Sequence, residues 1–69
     1  MKISARNVLK ATVVSIEDGA VNSEVVVQLA GGEQMVSVVT KSSVKHLDLA
    51  PGKEVLVVVK ASNVMLATE

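Results

Sequence analysis

Ala20-Val21-Asn22-Ser23-Glu24-Val25-Val26-Val27-Gln28-Leu29-Ala30, then Gly31-Gly32-Glu33, then Gln34-Met35-Val36-Ser37-Val38-Val39-Thr40: this stretch decides the fold. Val is stiff at χ1 and favours pleated strand over helix. Gly-Gly between two apolar runs is a hairpin signal, because both central residues can take positive φ. The stretch therefore predicts two antiparallel strands, residues 20–30 and 34–40, joined at a tight tip. Asp18-Gly19 leads into the first of them.

The flanking segments read the same way. Asn7 to Glu17 (NVLKATVVSIE) places Leu9, Ala11 and Val13 on one face and Val8, Lys10, Thr12 and Val14 on the other. Glu54 to Ala61 (EVLVVVKA) follows the turn Pro51-Gly52-Lys53, and Val64 to Ala67 predicts a short fifth strand that closes the sheet. One segment breaks the pattern. In Thr40-Lys41-Ser42-Ser43-Val44-Lys45-His46-Leu47 the apolar Val44 and Leu47 are three apart. Thr40 has the chemistry of an N-cap, its hydroxyl turned back toward the amide of Ser42 or Ser43. The expected fold is all-β: an OB-like five-stranded barrel with one short helix between strands 3 and 4. Residues 1–69 form a single domain, with no internal repeat, linker or low-complexity tail.

Composition narrows the function. Seven Lys plus Arg balance seven Asp plus Glu, which argues against a broadly basic nucleic-acid or anionic-membrane binder. No Cys is present, so there is no disulfide framework, thiolate metal site or thiol nucleophile. No Phe, Tyr or Trp is present either, which removes the stacking platforms that single-stranded nucleic acids use. No apolar run approaches the roughly 18 residues of a membrane span, and residues 1–15 lack the pattern of a signal peptide. The expectation is a cytoplasmic protein with no nucleic-acid or membrane partner.

Sixteen of the 69 residues are Val, and 49% of the chain is hydrophobic. A chain of this size buries only about 60% of its unfolded surface. Val25-Val26-Val27 and Val57-Val58-Val59 do not alternate, as expected of strands covered on both faces. With no disulfide or metal staple, association with further copies is the simplest cover.

No catalytic constellation is present, and the expectation is a protein that is not an enzyme. His46 has no second His or Cys to share a metal, and it reads as a solvated residue at the helix end. Glu17 and Asp18 read as a solvated turn. Three clusters remain: Ser4-Ala5-Arg6-Asn7, Thr40-Lys41-Ser42-Ser43 and Lys60-Ala61-Ser62-Asn63. Each joins hydroxyl or amide donors to one cation, and each stands at the end of an element, where backbone N–H groups are unpaired. A fully deprotonated tetrahedral oxyanion has four acceptors and no proton to give, so its pocket needs donors and no carboxylate. All three clusters meet that requirement. They fit ordinary caps and turns equally well, since Ser, Thr and Asn belong at such places.

At Ser4-Ala5-Arg6-Asn7, followed by Val8-Leu9, the chain resembles the molbindins, the small molybdenum-pterin-binding (Mop) proteins built on a TOBE/Mop domain. That domain also occurs in molybdate transporter ATPases and molybdate-responsive regulators. Gly19 to Val25, Thr40 to Val44, Leu49 to Val55 and Val59 to Val64 carry the resemblance across nearly the whole chain. Ala11 departs from it, since the family often has Gly there; the change bears on strand packing. The resemblance implies an OB-like fold assembled as a hexamer, a trimer of dimers, that stores or buffers molybdate, and tungstate, at subunit interfaces. Carried over by position, it implies that Ser4 and Arg6 face the anion from one subunit. Thr40, Ser43, Lys60 and the backbone N–H of Ala61 are the matching contacts from the other strands. A second oxyanion site near the threefold axes would fall at Gly19, Val21 and Asn22, with Ser42.

The rival functions are an oligonucleotide-binding module on the same fold, a biotinyl or lipoyl carrier, and an enzyme subunit. Missing aromatics and zero net charge oppose the first. The Gly31-Gly32 tip has no Lys to modify, and Lys53 lacks a Met-Lys-Met setting, which opposes the second. No residues carry the third. Within the favoured class, storage, sensing and delivery remain alternatives, and the lack of DNA-binding or ATPase segments favours storage.

Overall fold

The computed structural model describes residues 1–69. Four strands form: β1 (Asn7–Asp18), β2 (Asn22–Leu29), β3 (Gln34–Thr40) and β4 (Glu54–Val59). They make one antiparallel sheet in the order β3-β2-β1-β4, with the helix α1 (Lys41–His46) between β3 and β4. The sheet curls: residues of all four strands line one apolar cleft on its concave side. This is an OB-like half-barrel, open between the edges of β3 and β4.

The fifth strand expected at Val64–Ala67 pairs with nothing in the chain. A 3-10 turn, Ala61–Asn63, ends the chain's run along β4, and the tail beyond it is exposed. β4 accordingly stops at Val59 rather than at Ala61. Ala20 and Val21 likewise lie outside β2. The Gly19 N–H donates to the Asn22 carbonyl at 2.8 Å, so these residues form the β1–β2 turn. Local Val propensity yields there to turn geometry.

β1 carries a bulge at Val14. Val13 pairs with Val27, but Ser15 pairs with Val26, which leaves Val14 unopposed. The extra residue flips the parity of the strand. Ala11 and Val13 point inward before the bulge and Ile16 points inward after it. An unbroken alternation would have put Ser15 in the core and Ile16 in water.

The β2–β3 tip differs from the expected pair of positive-φ glycines. Only Gly32 has positive φ, at 95°. The Gly32 N–H donates to Leu29 and the Leu29 N–H to Glu33, which makes a three-residue loop with one left-handed glycine. The turn into β4 has Pro51 then Gly52, φ 92°, closed by the Lys53 N–H to the Ala50 carbonyl at 3.0 Å. Pro at the second and Gly at the third position is the type II arrangement.

The helix is capped at both ends. The Thr40 hydroxyl accepts from the Ser43 N–H at 3.1 Å. At the other end the Leu49 N–H reaches the Val44 carbonyl and the Asp48 N–H reaches the Lys45 carbonyl, a Schellman pair. Asp48 takes the left-handed position, φ 52°, that glycine usually fills. Lys45 and His46 occupy the last turn, where the helix dipole favours cations.

Ala11, Val13, Val25 and Val27 form the buried core, with Ile16, Leu29, Met35, Val39, Val44, Leu49, Val55 and Val57 packed against it. Only five of the 69 residues are buried, and the chain exposes 5591 Å². A compact monomer of 7.2 kDa exposes about 4,100 Å². The excess, about 1,500 Å², includes Val36, Val38, Leu56 and Val58, all on the two edge strands. No helix is long and apolar enough to cross a membrane.

Candidate functional site

Strand register assembles the first part of the site. Asn7 stands opposite Val59, so the start of β1 lies beside the end of β4. The Asn7 side chain reinforces the join, its Nδ2 donating to the Val59 carbonyl at 3.2 Å. Ser4-Ala5-Arg6, just before β1, is thereby brought beside Lys60-Ala61-Ser62, just after β4. Ser4, Arg6, Lys60 and Ala61 are all exposed. The 3-10 turn leaves the Ala61 and Ser62 amides without a partner inside it. None of the side-chain hydrogen bonds of the structure uses Ser4, Arg6 or Lys60. Two cations, a hydroxyl and free amides therefore gather at one corner with no carboxylate among them.

The second part lies at the start of α1. The Thr40 and Ser42 hydroxyls are 3.0 Å apart, and Thr40 Oγ1 donates to Ser43 Oγ at 2.9 Å. By register this cluster lies at the other end of the sheet from Lys60: Thr40 pairs with Asn22 beside the Asp18 end of β1, whereas Lys60 follows Val59 beside Asn7.

Gly19, Val21, Asn22 and Ser42 come together with this hydroxyl group. Asn22 pairs with Thr40 across β2 and β3, and the Lys41 N–H donates to the Val21 carbonyl at 2.9 Å. Those bonds occupy the backbone acceptors of the turn and fix it against the helix start. The turn also contains a residue that sequence reading passed over. Ser23, 1% exposed, points inward in step with Val25 and Val27, and its Oγ donates to Asp18 Oδ1 at 2.5 Å. A polar residue at inward parity must find a partner, and that was the available signal. Asp18 is exposed, as expected, and is also a structural acceptor. His46 is exposed at the helix end, and no three His, Asp or Glu side chains converge as metal ligands.

Chemically the arrangement suits an anion: cations and N–H or O–H donors stand side by side where β1 begins and β4 ends. A tetrahedral dianion offers acceptors to all of them, and two cations match its charge.

The profile of the TOBE-domain family matches residues 3–66. The chain is 49% identical over 69 residues to the "Probable molybdenum-pterin-binding protein" of Haemophilus influenzae, covering 100% of both. A solved molybdate-binding protein from Sporomusa ovata superposes with a TM-score of 0.92 at 41% identity, covering 99% of this chain and 100% of that one. ModG, a cytoplasmic molybdate-binding protein solved with molybdate bound, gives a TM-score of 0.84 at 49% identity, with 96% of this chain and 53% of that one covered. A match along nearly the whole length, with relatives of the same size and fold, places this chain in the TOBE-domain family, among the single-domain molybdenum-pterin-binding (Mop) proteins.

Proposed function

We propose that this chain binds the molybdate dianion between subunits of a homo-oligomer and serves as an intracellular store or buffer of molybdenum. The observation that carries the reading is the corner built by the Asn7–Val59 pairing, where Arg6 and Lys60 meet Ser4 and the Ala61 amide without a carboxylate. Thr40 and Ser43, at the other end of the sheet, supply further donors from a neighbouring subunit. Gly19, Val21, Asn22 and Ser42 form a second, weaker site around the β1–β2 turn. Tungstate has the same charge and the same four acceptors, so it binds too. A protonated phosphate would present a donor to a corner rich in donors and without a carboxylate, and it is disfavoured. No aromatic ring is present to stack on a pterin, so the ligand is the free oxyanion.

The oligomer of this reading is a hexamer, a trimer of dimers, in the cytoplasm. The surface excess of about 1,500 Å² per chain supports association, since a standard interface takes about 800 Å² from each partner. A dry interface strengthens each charge-assisted bond. Having no general acid or base in reach, the site releases the anion unchanged, as a buffer must.

Stripping the protein of bound anion and melting it with and without excess molybdate tests the reading. Ligand bound only by the folded assembly raises the melting temperature as RT ln(1 + [L]/Kd). A melt unmoved by molybdate and by tungstate overturns it.

A further inference from the structure

The bulge in β1 decides where the two acids at the strand's end point. Had β1 alternated without a break from Ala11 and Val13, Glu17 would face inward and Asp18 outward. The extra residue at Val14 reverses this. Asp18 shares the inward side with Ile16, opposite Ser23, and Glu17 turns outward opposite Glu24. Ser23 is 1% exposed, and its Oγ donates to Asp18 Oδ1 at 2.5 Å. A hydroxyl buried this deeply needs an acceptor. The bond holds the carboxylate in one place while Asp18 stays exposed to solvent. An amide oxygen would serve the Ser23 hydroxyl as well, so a full negative charge here is more than the fold requires.

That charge stands at the entrance of the β1–β2 turn. Gly19 follows Asp18 directly, and its N–H closes the turn on the carbonyl of Asn22, the residue before Ser23. Asp18 and Ser23 therefore bracket Gly19, Val21 and Asn22, which carry the second oxyanion site. Glu17 and Glu24 pair across the same two strands on the outer face, both exposed. Lys41 is joined to the turn through its backbone N–H on the Val21 carbonyl. The corner where β1 begins and β4 ends has Arg6 and Lys60 and no carboxylate; the turn has three carboxylates around it.

We propose that Asp18, fixed by Ser23, sets the affinity of the turn for a tetrahedral dianion below that of the Arg6–Lys60 corner. The inference rests on the second-site reading above and names the group that ranks the two sites. A dianion at the turn meets a carboxylate that swings away only by leaving the Ser23 hydroxyl unpaired. Repulsion between a unit charge and a dianion one residue away, even in a water-like dielectric, costs on the order of tenfold in affinity. The corner therefore fills first, and the turn takes up anion only when anion is abundant. An oligomer with both sites buffers over a wider range of concentration than one with a single affinity.

Equilibrium dialysis of molybdate against the stripped full chain tests this, with Asp18→Asn and Glu33→Gln beside the parent. Asparagine keeps an oxygen for Ser23 and removes the charge. Glu33→Gln removes the same charge at the β2–β3 tip, the far end of β2. The parent should show a tight and a weak class of sites. Asp18→Asn should tighten the weak class about tenfold and leave the tight class alone, and a weak class visible only in this variant carries the same meaning. Glu33→Gln should change neither class. The gain should shrink in about 0.5 M sodium chloride, which screens the repulsion. It should fall to about threefold for perrhenate, which has the same shape and a single charge. A weak class left unchanged or loosened by Asp18→Asn, tightened equally by Glu33→Gln, or tightened to an extent that salt does not alter overturns the proposal and leaves the second site standing. A single class in both parent and Asp18→Asn removes the second site and the proposal together and spares the corner. Should Asp18→Asn not fold, the parent decides: salt should weaken the tight class more steeply than the weak one, and equal slopes overturn the proposal.

Discussion

Two donor clusters stand at opposite ends of the sheet, and they differ in what holds them. Thr40, Ser42 and Ser43 are bonded to one another and to the first turn of α1. Ser4, Arg6 and Lys60 make no side-chain hydrogen bond at all. The first cluster is a cap that the helix needs whether or not an anion is present. The second makes no such bonds, and it places Arg6 and Lys60, two like charges, beside each other where β1 begins and β4 ends. Substitution of the first should therefore move stability and binding together. Substitution of the second should move binding alone. Exposed pairs contribute roughly 0–1 kcal/mol, so cations kept for stability alone would achieve little here.

The largest effect is expected for Lys60→Glu. A carboxylate in the donor corner should abolish molybdate binding in equilibrium dialysis and leave the melting temperature of the empty protein no lower. A fall in the empty protein's stability would give Lys60 a structural role and erase the contrast. Thr40→Ala comes next. Loss of the N-cap costs about 1 kcal/mol, a drop of about 4–8 °C for a domain of this size at fixed chain concentration. Molybdate affinity should fall with it; a fall in affinity with no change in melting would make Thr40 a ligand and not a cap. Smallest is Asp48→Gly, at the opposite end of α1 from Thr40. Glycine relieves the left-handed strain at φ 52°, so stability should rise by about 0.5 kcal/mol with affinity unchanged. Unchanged or lower stability would show that the Asp side chain contributes something the Schellman bonds do not.

Much of this was legible in the chain. Val runs and Gly punctuation locate four strands to within two or three residues, and Thr40 announces the helix. What was not legible depends on partners distant in sequence. The bulge at Val14 follows from Val13 and Ile16 both needing the core, a conflict that appears only once Val27 and Val25 stand opposite. Val64-Met65-Leu66-Ala67 reads as a strand because its residues favour one, yet a strand needs an edge, and its own chain offers none that the turn at Ala61–Asn63 lets it reach. The three donor clusters are visible singly in the sequence. That two of them share a corner follows from Asn7 pairing with Val59, a contact 52 residues apart. Local reading could not separate a cap from a ligand, because both uses call for Ser, Thr and Asn.

The central claim is that Arg6 and Lys60 are ligands to a dianion. Calorimetric titration of molybdate into stripped protein, with Arg6→Ala, Lys60→Ala and Lys45→Ala beside the parent, tests it most directly. A charged hydrogen bond is worth about 1.5–3 kcal/mol. The first two variants should therefore lose roughly tenfold to a hundredfold in affinity. Lys45→Ala, on the exposed last turn of α1, should bind as the parent does. Equal affinities across all four proteins would contradict the account and return the three clusters to ordinary caps and turns.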